Sequence, residues 1–193
     1  FNTIDDGLNW FNLSTSIPNG WFYGLYQHPT TNTLFALHQN GVYRSINSGT
    51  DWDLTSASGK TMAFNSFGNI FLGGGSIIYK STDDGLSYQS TPIGSNVFYS
   101  LDIAINPKDN IYVATANENG LQGKGLFKST DNGLTYSPIV QLPENIISVE
   151  PLDLTGFPGT FDCARYMHAA DANGNLYSEN DDGSWNQINI GFQ

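Results

Sequence analysis

Eighteen acidic side chains against seven basic ones set the chemistry open to this 193-residue chain. Six of the acids, Asp102, Glu118, Glu144, Glu150, Asp153 and Asp162, stand outside any repeated motif. Two carboxylates about 5–10 Å apart can hydrolyse a glycosidic bond, but spacing along the chain selects no pair among the six. The histidines His28, His38 and His168 lie in separate segments, which fits local hydrogen bonding better than a shared metal ion. Cys163 is the lone cysteine, so no intrachain disulfide forms, and a small buried hydrophobe is favoured over a reactive thiol. Asn12-Leu13-Ser14 matches an N-glycosylation acceptor, a tripeptide that also arises often by chance.

Most other acids sit in a recurring corner. Its fullest copies are Ser81-Thr82-Asp83-Asp84-Gly85-Leu86-Ser87-Tyr88 and Ser129-Thr130-Asp131-Asn132-Gly133-Leu134-Thr135-Tyr136. Weaker copies carry Asp5, Gly7 and Trp10, then Asn47, Gly49 and Trp52, and last Asp181, Gly183 and Trp185 in a version one residue short. The five glycines are separated by 42, 36, 48 and 50 residues. Repeats at this period imply a modular array joined by loops of unequal length. A short Asp or Asn side chain accepts backbone N–H groups one or two residues ahead, Gly supplies the positive φ of a tight turn, and the aromatic opens the next strand. The acids Asp5, Asp83, Asp131 and Asp181 are therefore expected to cap turns. No twelve-residue run of oxygen ligands ending in Glu is present, so an EF-hand is not expected. No cofactor or metal is expected, although the adjacent acids Asp5-Asp6, Asp83-Asp84 and Asp181-Asp182 leave room for weak surface calcium.

Strands must position these corners. Apolar-aromatic pairs precede them in Gly41-Val42-Tyr43-Arg44, Ile77-Ile78-Tyr79-Lys80, Gly125-Leu126-Phe127-Lys128 and Asn175-Leu176-Tyr177-Ser178, and alternating segments follow at Trp52 to Thr55 and Tyr136 to Ile139. Two more strands precede each set: Trp21 to Gln27 and Leu34 to His38; Thr61 to Phe64 and Ile70 to Gly73; Phe98 to Ile105 and Ile111 to Thr115; Ile146 to Leu154 and Ala164 to Ala170. Turn signals separate them, including Asn40-Gly41 and Asn173-Gly174. No helical periodicity interrupts the series, so the class is all-β.

The pattern Ser/Thr-x-Asp-x-Gly-x-Thr/Ser-aromatic resembles the Asp-box, or bacterial neuraminidase repeat, and the resemblance covers essentially the whole chain. It implies a β-propeller of four-stranded antiparallel blades with the box between strands three and four. The superfamily includes sialidases, xyloglucan-cleaving enzymes, sortilin-type receptors and photosystem-assembly factors, so the resemblance specifies fold and leaves function open. A sialidase of this kind would need three arginines around its substrate carboxylate, whereas only Arg44 and Arg165 exist. Arg44 also holds the place of Lys80 and Lys128 before their boxes, which points to a strand-end structural role.

Residues 1–193 are read as one propeller domain or fragment. Residues 1–16 end a preceding blade, and 17–56, 57–93, 94–142 and 143–193 form successive blades, about four and a half in all. The expectation is part of a larger propeller, since an open arc leaves unpaired edges. In such a fold the boxes share one face with the turns between strands one and two. Ligands in related propellers usually bind the opposite face. Here that face would present Trp21, Phe22, Lys60, Phe98, Tyr99 and the loop carrying Asn119, Gln122 and Lys124. Aromatics beside amides and an ammonium suit a sugar ring or a protein partner, against the alternative that inner-strand aromatics pack between blades.

Composition narrows the partners. A net charge of −11 with pI near 4.2 disfavours nucleic acid and anionic membrane, and no apolar run is long enough for a membrane-spanning helix. Few charged residues and many turn formers and aromatics suit a secreted or cell-surface β protein. Two functions follow as expectations: a non-catalytic module binding a glycan, a protein or copies of itself, or a segment of a xyloglucanase-like polysaccharide hydrolase.

Overall fold

The computed structural model describes residues 6–9, 16–94, 97, 99–117, 123–151 and 167–188. They form four four-stranded antiparallel sheets, with no helix among the described residues. The first holds β1 (Phe22–Gln27), β2 (Leu34–His38), β3 (Gly41–Ser45) and β4 (Asp53–Leu54). The second holds β5 (Thr61–Phe64), β6 (Ile70–Gly74), β7 (Ile77–Ser81) and β8 (Gln89–Pro92). The third holds β9 (Tyr99–Ile105), β10 (Ile111–Ala116), β11 (Gly123–Ser129) and β12 (Ser137–Pro138), and the fourth β13 (Ile146–Pro151), β14 (Met167–Asp171), β15 (Leu176–Glu179) and β16 (Trp185–Ile188). Within each sheet the strands lie side by side in chain order. The sheets are therefore simple meanders, the blades of the expected array.

Each core lies between two blades. The second strands are nearly continuous apolar runs because both of their faces are covered. Phe35 and Leu37 of the first blade pack on Met62, Ile70 and Leu72 of the second. Phe71 and Ile78 pack on Ile103 and Val113 of the third, and Tyr112, Ala114 and Leu126 pack on Val149, Met167 and Ala169 of the fourth. Burying one large apolar side chain contributes about 1.5–3 kcal/mol, so lateral stacking is the main force aligning the sheets. The inner strands β1, β5, β9 and β13 consequently stand next to one another in that order.

The corners between third and fourth strands follow one plan. Ser81 Oγ donates to Asp83 Oδ1 and accepts from Gly85 N, both at 2.8 Å. Asp83 accepts from Ser87 N at 2.9 Å and from Ser87 Oγ at 2.5 Å. Ser129, Asp131, Gly133 and Thr135 repeat this arrangement. In the first blade Asn47 replaces the acid and Asp51 replaces the hydroxyl, so the bond reverses: Asn47 Nδ2 donates to Asp51 Oδ2 at 2.9 Å. The acid reaches chiefly the residue four positions ahead, not one or two as the sequence suggested, because the whole loop folds over its carboxylate. Positive φ is also shared: Asp6, Ser48, Asp84 and Asn132 are left-handed immediately before the left-handed Gly7, Gly49, Gly85 and Gly133. The corner aromatics Trp52, Tyr88 and Tyr136 directly precede β4, β8 and β12.

The last corner departs from the plan. Asp182, not Asp181, holds it, accepting from Ser184 N at 2.9 Å and Ser184 Oγ at 2.6 Å. The missing residue shifts the frame, and Asn180 closes the loop through its backbone to Ser184 O and Gly183 N. Asp5 and Trp10, the strand expected at Trp10 to Ser14, Asn12, Phe98, Glu118, Asn119, Gln122, Asp153, Asp162, Cys163 and Arg165 lie outside the described residues.

Candidate functional site

The two faces of the array differ in how their polar groups are used. On the corner face, the basic residue ending one blade's third strand crosses to the corner of the next. Arg44 donates through Nε to Asp84 O and through Nη2 to Asp84 Oδ2, both at 2.6 Å. Thr31 and Thr33, from the turn between β1 and β2, donate to the same carboxylate at 2.8 and 2.7 Å. Lys80 Nζ likewise reaches Asn132 O at 2.8 Å, while Asn65 and Asn69 donate to Asn132 Oδ1. Lys128 Nζ reaches Glu179 at 2.7 Å, and Tyr112 donates to that buried carboxylate. Arg44 is thus a latch between blades, as are Lys80 and Lys128. Burial, together with the bond to Glu179 and its charge, drives the Tyr112 phenol far above the ordinary tyrosine range.

The adjacent acids in this face do not converge. Asp83 turns into its own corner and Asp84 across to Arg44. Hydrogen bonds from the Ser87 hydroxyl and amide hold Asp83 down to about 2, and Thr135 does the same for Asp131. Among the described residues no group of three or more His, Cys, Asp or Glu is arranged to hold a metal ion.

The opposite face begins where the inner strands begin. Trp21 is tied by its backbone to the turn between β2 and β3: Gln39 N donates to Trp21 O at 3.0 Å, and Trp21 N donates to Gln39 Oε1 at 3.2 Å. The residue is nevertheless 77% exposed. Phe22 is 54% exposed and rests on His38, the ring centroids 4.8 Å apart. Tyr23 and Tyr99, at the starts of β1 and β9, are 45% and 38% exposed. Between them stands Lys60, its Nζ 5.1 Å from the Tyr23 centroid and 5.3 Å from that of Tyr99. Interblade packing does not absorb these rings. Of the expected face residues, Trp21, Phe22, Lys60 and Tyr99 gather at the inner-strand starts, whereas Lys124 pairs with Glu144 at 3.8 Å. Tyr23 was missed from the sequence. The run Trp21-Phe22-Tyr23 carried a signal, because strand neighbours point to opposite sides and three consecutive aromatics cannot share one core.

A cavity of about 320 Å³ lies between the inner strands, lined by Tyr26, Thr61, Phe64, Asp102, Glu150 and Pro151 among others. It brings together two acids that the sequence could not pair. Partial burial, and then the charge of Asp102, push the Glu150 carboxyl above its usual range. Asp102 Oδ2, by contrast, accepts from Ser148 Oγ at 2.9 Å and Val149 N at 3.0 Å, which fastens β9 to β13. Asp102 is thus committed to the scaffold, while Glu150 borders the cavity from an exposed position.

No protein-family model and no curated protein matches the sequence. Solved structures do match in shape. An ancestral GH74 enzyme superposes with a TM-score of 0.65 at 16% identity, covering 89% of this chain and 26% of its own. The GH74 xyloglucanase from Xanthomonas campestris gives 0.64 at 14% identity, covering 89% and 31%. YCF48 bound to D1 peptide gives 0.59 at 17% identity, covering 95% and 58%. The chain thus spans about a quarter to a third of the two GH74 proteins. Likeness at such identities speaks for fold alone, and with the four meander sheets and their interblade cores it shows that this chain is built as blades of a β-propeller.

Proposed function

We propose that the chain serves as a non-catalytic extracellular propeller module that holds a glycan or protein partner on the face opposite the corners. The observation that carries this reading is the set of exposed rings of Trp21, Tyr23 and Tyr99 at the inner-strand starts, the two tyrosines flanking Lys60 and the Trp21 backbone tied to Gln39. Exposed aromatic area on fixed backbone can bind with little ordering cost. On the corner face the charged side chains are engaged in linking blades, and the exposed apolar residues there, Ile46, Phe67, Leu86 and Leu134, stand one per turn and corner with no cation between aromatic rings among them. Arrays of glycans and peptides probed with the parent protein and with Trp21→Ala and Tyr99→Ala variants test the reading. Binding weakened about tenfold or more by either change supports it, in keeping with the weight of central aromatic anchors. Undiminished binding by both folded variants refutes it.

The second reading is a glycoside hydrolase segment, favoured by one observation: Glu150 and Asp102 border one cavity, with the Glu150 carboxyl raised toward a general acid. Against it stands the engagement of Asp102 by Ser148 and Val149. Turnover on a glycoside panel that disappears in Glu150→Gln would establish hydrolysis in place of simple binding.

A further inference from the structure

We propose that Lys60 is the recognition cation for a carboxylate on the bound glycan, so that the ligand is a largely neutral polysaccharide bearing isolated uronic acid units. This inference rests on the binding face proposed above. Only seven cations exist in the chain, and most are accounted for. Arg44, Lys80 and Lys128 join blades on the corner face, Lys124 faces Glu144, and Lys108 belongs to the turn between β9 and β10 on the corner side. Arg165 lies outside the described residues. Like Lys80 and the exposed Lys108, Lys60 takes part in none of the ion pairs among the described residues; of these three it is the one that stands at the inner-strand starts between aromatic rings.

Its position is nonetheless fixed. Lys60 N donates to Gly73 O at 3.0 Å, which anchors the backbone, and the ammonium stands between the Tyr23 and Tyr99 rings with the residue exposed. Rings on two sides restrain a flexible side chain and strip part of its hydration. What remains is one ammonium held in place and open to solvent, in a protein that is otherwise strongly acidic.

A hexuronate fits that arrangement. Its ring presents an apolar face that stacks on Tyr99 or Trp21, and its carboxylate projects from the rim to meet an ammonium seated between aromatics. The overall charge of −11 repels a dense polyanion, and a single cation answers a single carboxylate. Isolated acidic units on a neutral backbone satisfy both conditions.

The test is calorimetric titration of the whole chain with uronic-acid oligosaccharides from glucuronoxylan, pectin and alginate, each beside its carboxyl-reduced counterpart, with acidic hexapeptides included. The proposal expects the sparsely charged glucuronoxylan oligosaccharides to bind about tenfold more tightly than their reduced form, the scale of a hydrogen bond to a charged group, and more tightly than the densely charged pectin and alginate oligosaccharides, whose tighter binding would overturn it. Lys60→Met should erase that preference while leaving residual binding to both forms, and Lys60→Arg should restore much of it. Equal binding of acidic and reduced sugars, with loss in Trp21→Ala, overturns the carboxylate claim and leaves the binding face intact. Binding unaffected by Trp21→Ala and Tyr99→Ala overturns both. An acid preference that survives Lys60→Met, a preference for the hexapeptides over every sugar, or no acidic sugar bound above its reduced partner, each overturns the proposal.

Discussion

Replacing Asp84 by Asn should destabilise the protein far more than a surface substitution. The carboxylate accepts from Thr31, Thr33 and Arg44, and the Arg44 Nε also holds the residue-84 carbonyl. Arg44 and Asp84 are largely shielded from solvent, and Thr33 is buried. An Asn keeps the shape and tolerates the left-handed φ of 58°. It removes the charge, however, and turns an amide N–H₂ toward groups that can only donate or prefer to. Loss of one charge-assisted bond costs about 1.5–3 kcal/mol, so about 2 kcal/mol is expected. For a chain of this size that is a fall in Tm of roughly 4–8 °C. Asp84→Ala should cost about 3–4 kcal/mol, because a donor at Thr33 is stranded and the left-handed backbone is strained by about 1 kcal/mol. The assay is chemical denaturation of Asp84→Asn, Arg44→Met and the double variant. The double-mutant cycle should return a coupling of at least about 1 kcal/mol. A coupling near zero, or an Asp84→Asn variant indistinguishable from the parent, would refute the interblade latch.

Other consequences can be measured on the same footing. Asn132 receives only donors at Oδ1, from Asn65 and Asn69, with Lys80 beside it; Asn132→Asp should therefore be neutral or stabilising by up to about 1 kcal/mol in denaturation. Gly133→Ala should cost about 2–3 kcal/mol, since its Cβ would fall 2.7 Å from Phe71 Cε1 at a φ of 81°. Gly183→Ala, at the same φ but with open space around it, should lose only about 1 kcal/mol. Asp83 and Asp131 are held down to about 2 when folded, below the ordinary ~3.9 of an unfolded Asp. Their contribution is present above the unfolded value and lost as pH falls through the folded one, so Tm should decline between pH 4 and 2. Asp83→Asn should shallow that decline.

Much of the architecture could be read directly because each blade is locally encoded. The hydroxyl, acid, glycine and aromatic of Ser81 to Tyr88 lie within one loop, and their bonds close inside it. The strands from Leu34 to His38 and from Thr61 to Phe64 are bounded by turn residues on both sides. The interblade partners were hidden because Arg44 and Asp84 meet only when two sheets stack, forty residues apart in sequence. A linear match of the pattern points to Asp181, whereas the short corner shifts the register and puts Asp182 on Ser184. The fate of Trp21 and Tyr99 was undecided for a related reason: an aromatic at an inner-strand start can turn into a blade interface or out from it, and lateral packing settles which. Asp102 and Glu150 converge only because β9 and β13 are neighbours.

Hydrogen exchange on the protein saturated with whichever ligand the arrays select is the most direct test of where function resides. Binding on the face opposite the corners should slow amide exchange in residues 20–24, 58–62 and 99–101, which carry Trp21, Lys60 and Tyr99, and leave the corner loops at 82–88 and 130–136 unchanged. Protection confined to those corner loops, with the inner-strand starts exchanging as freely as in the unbound protein, would contradict the account.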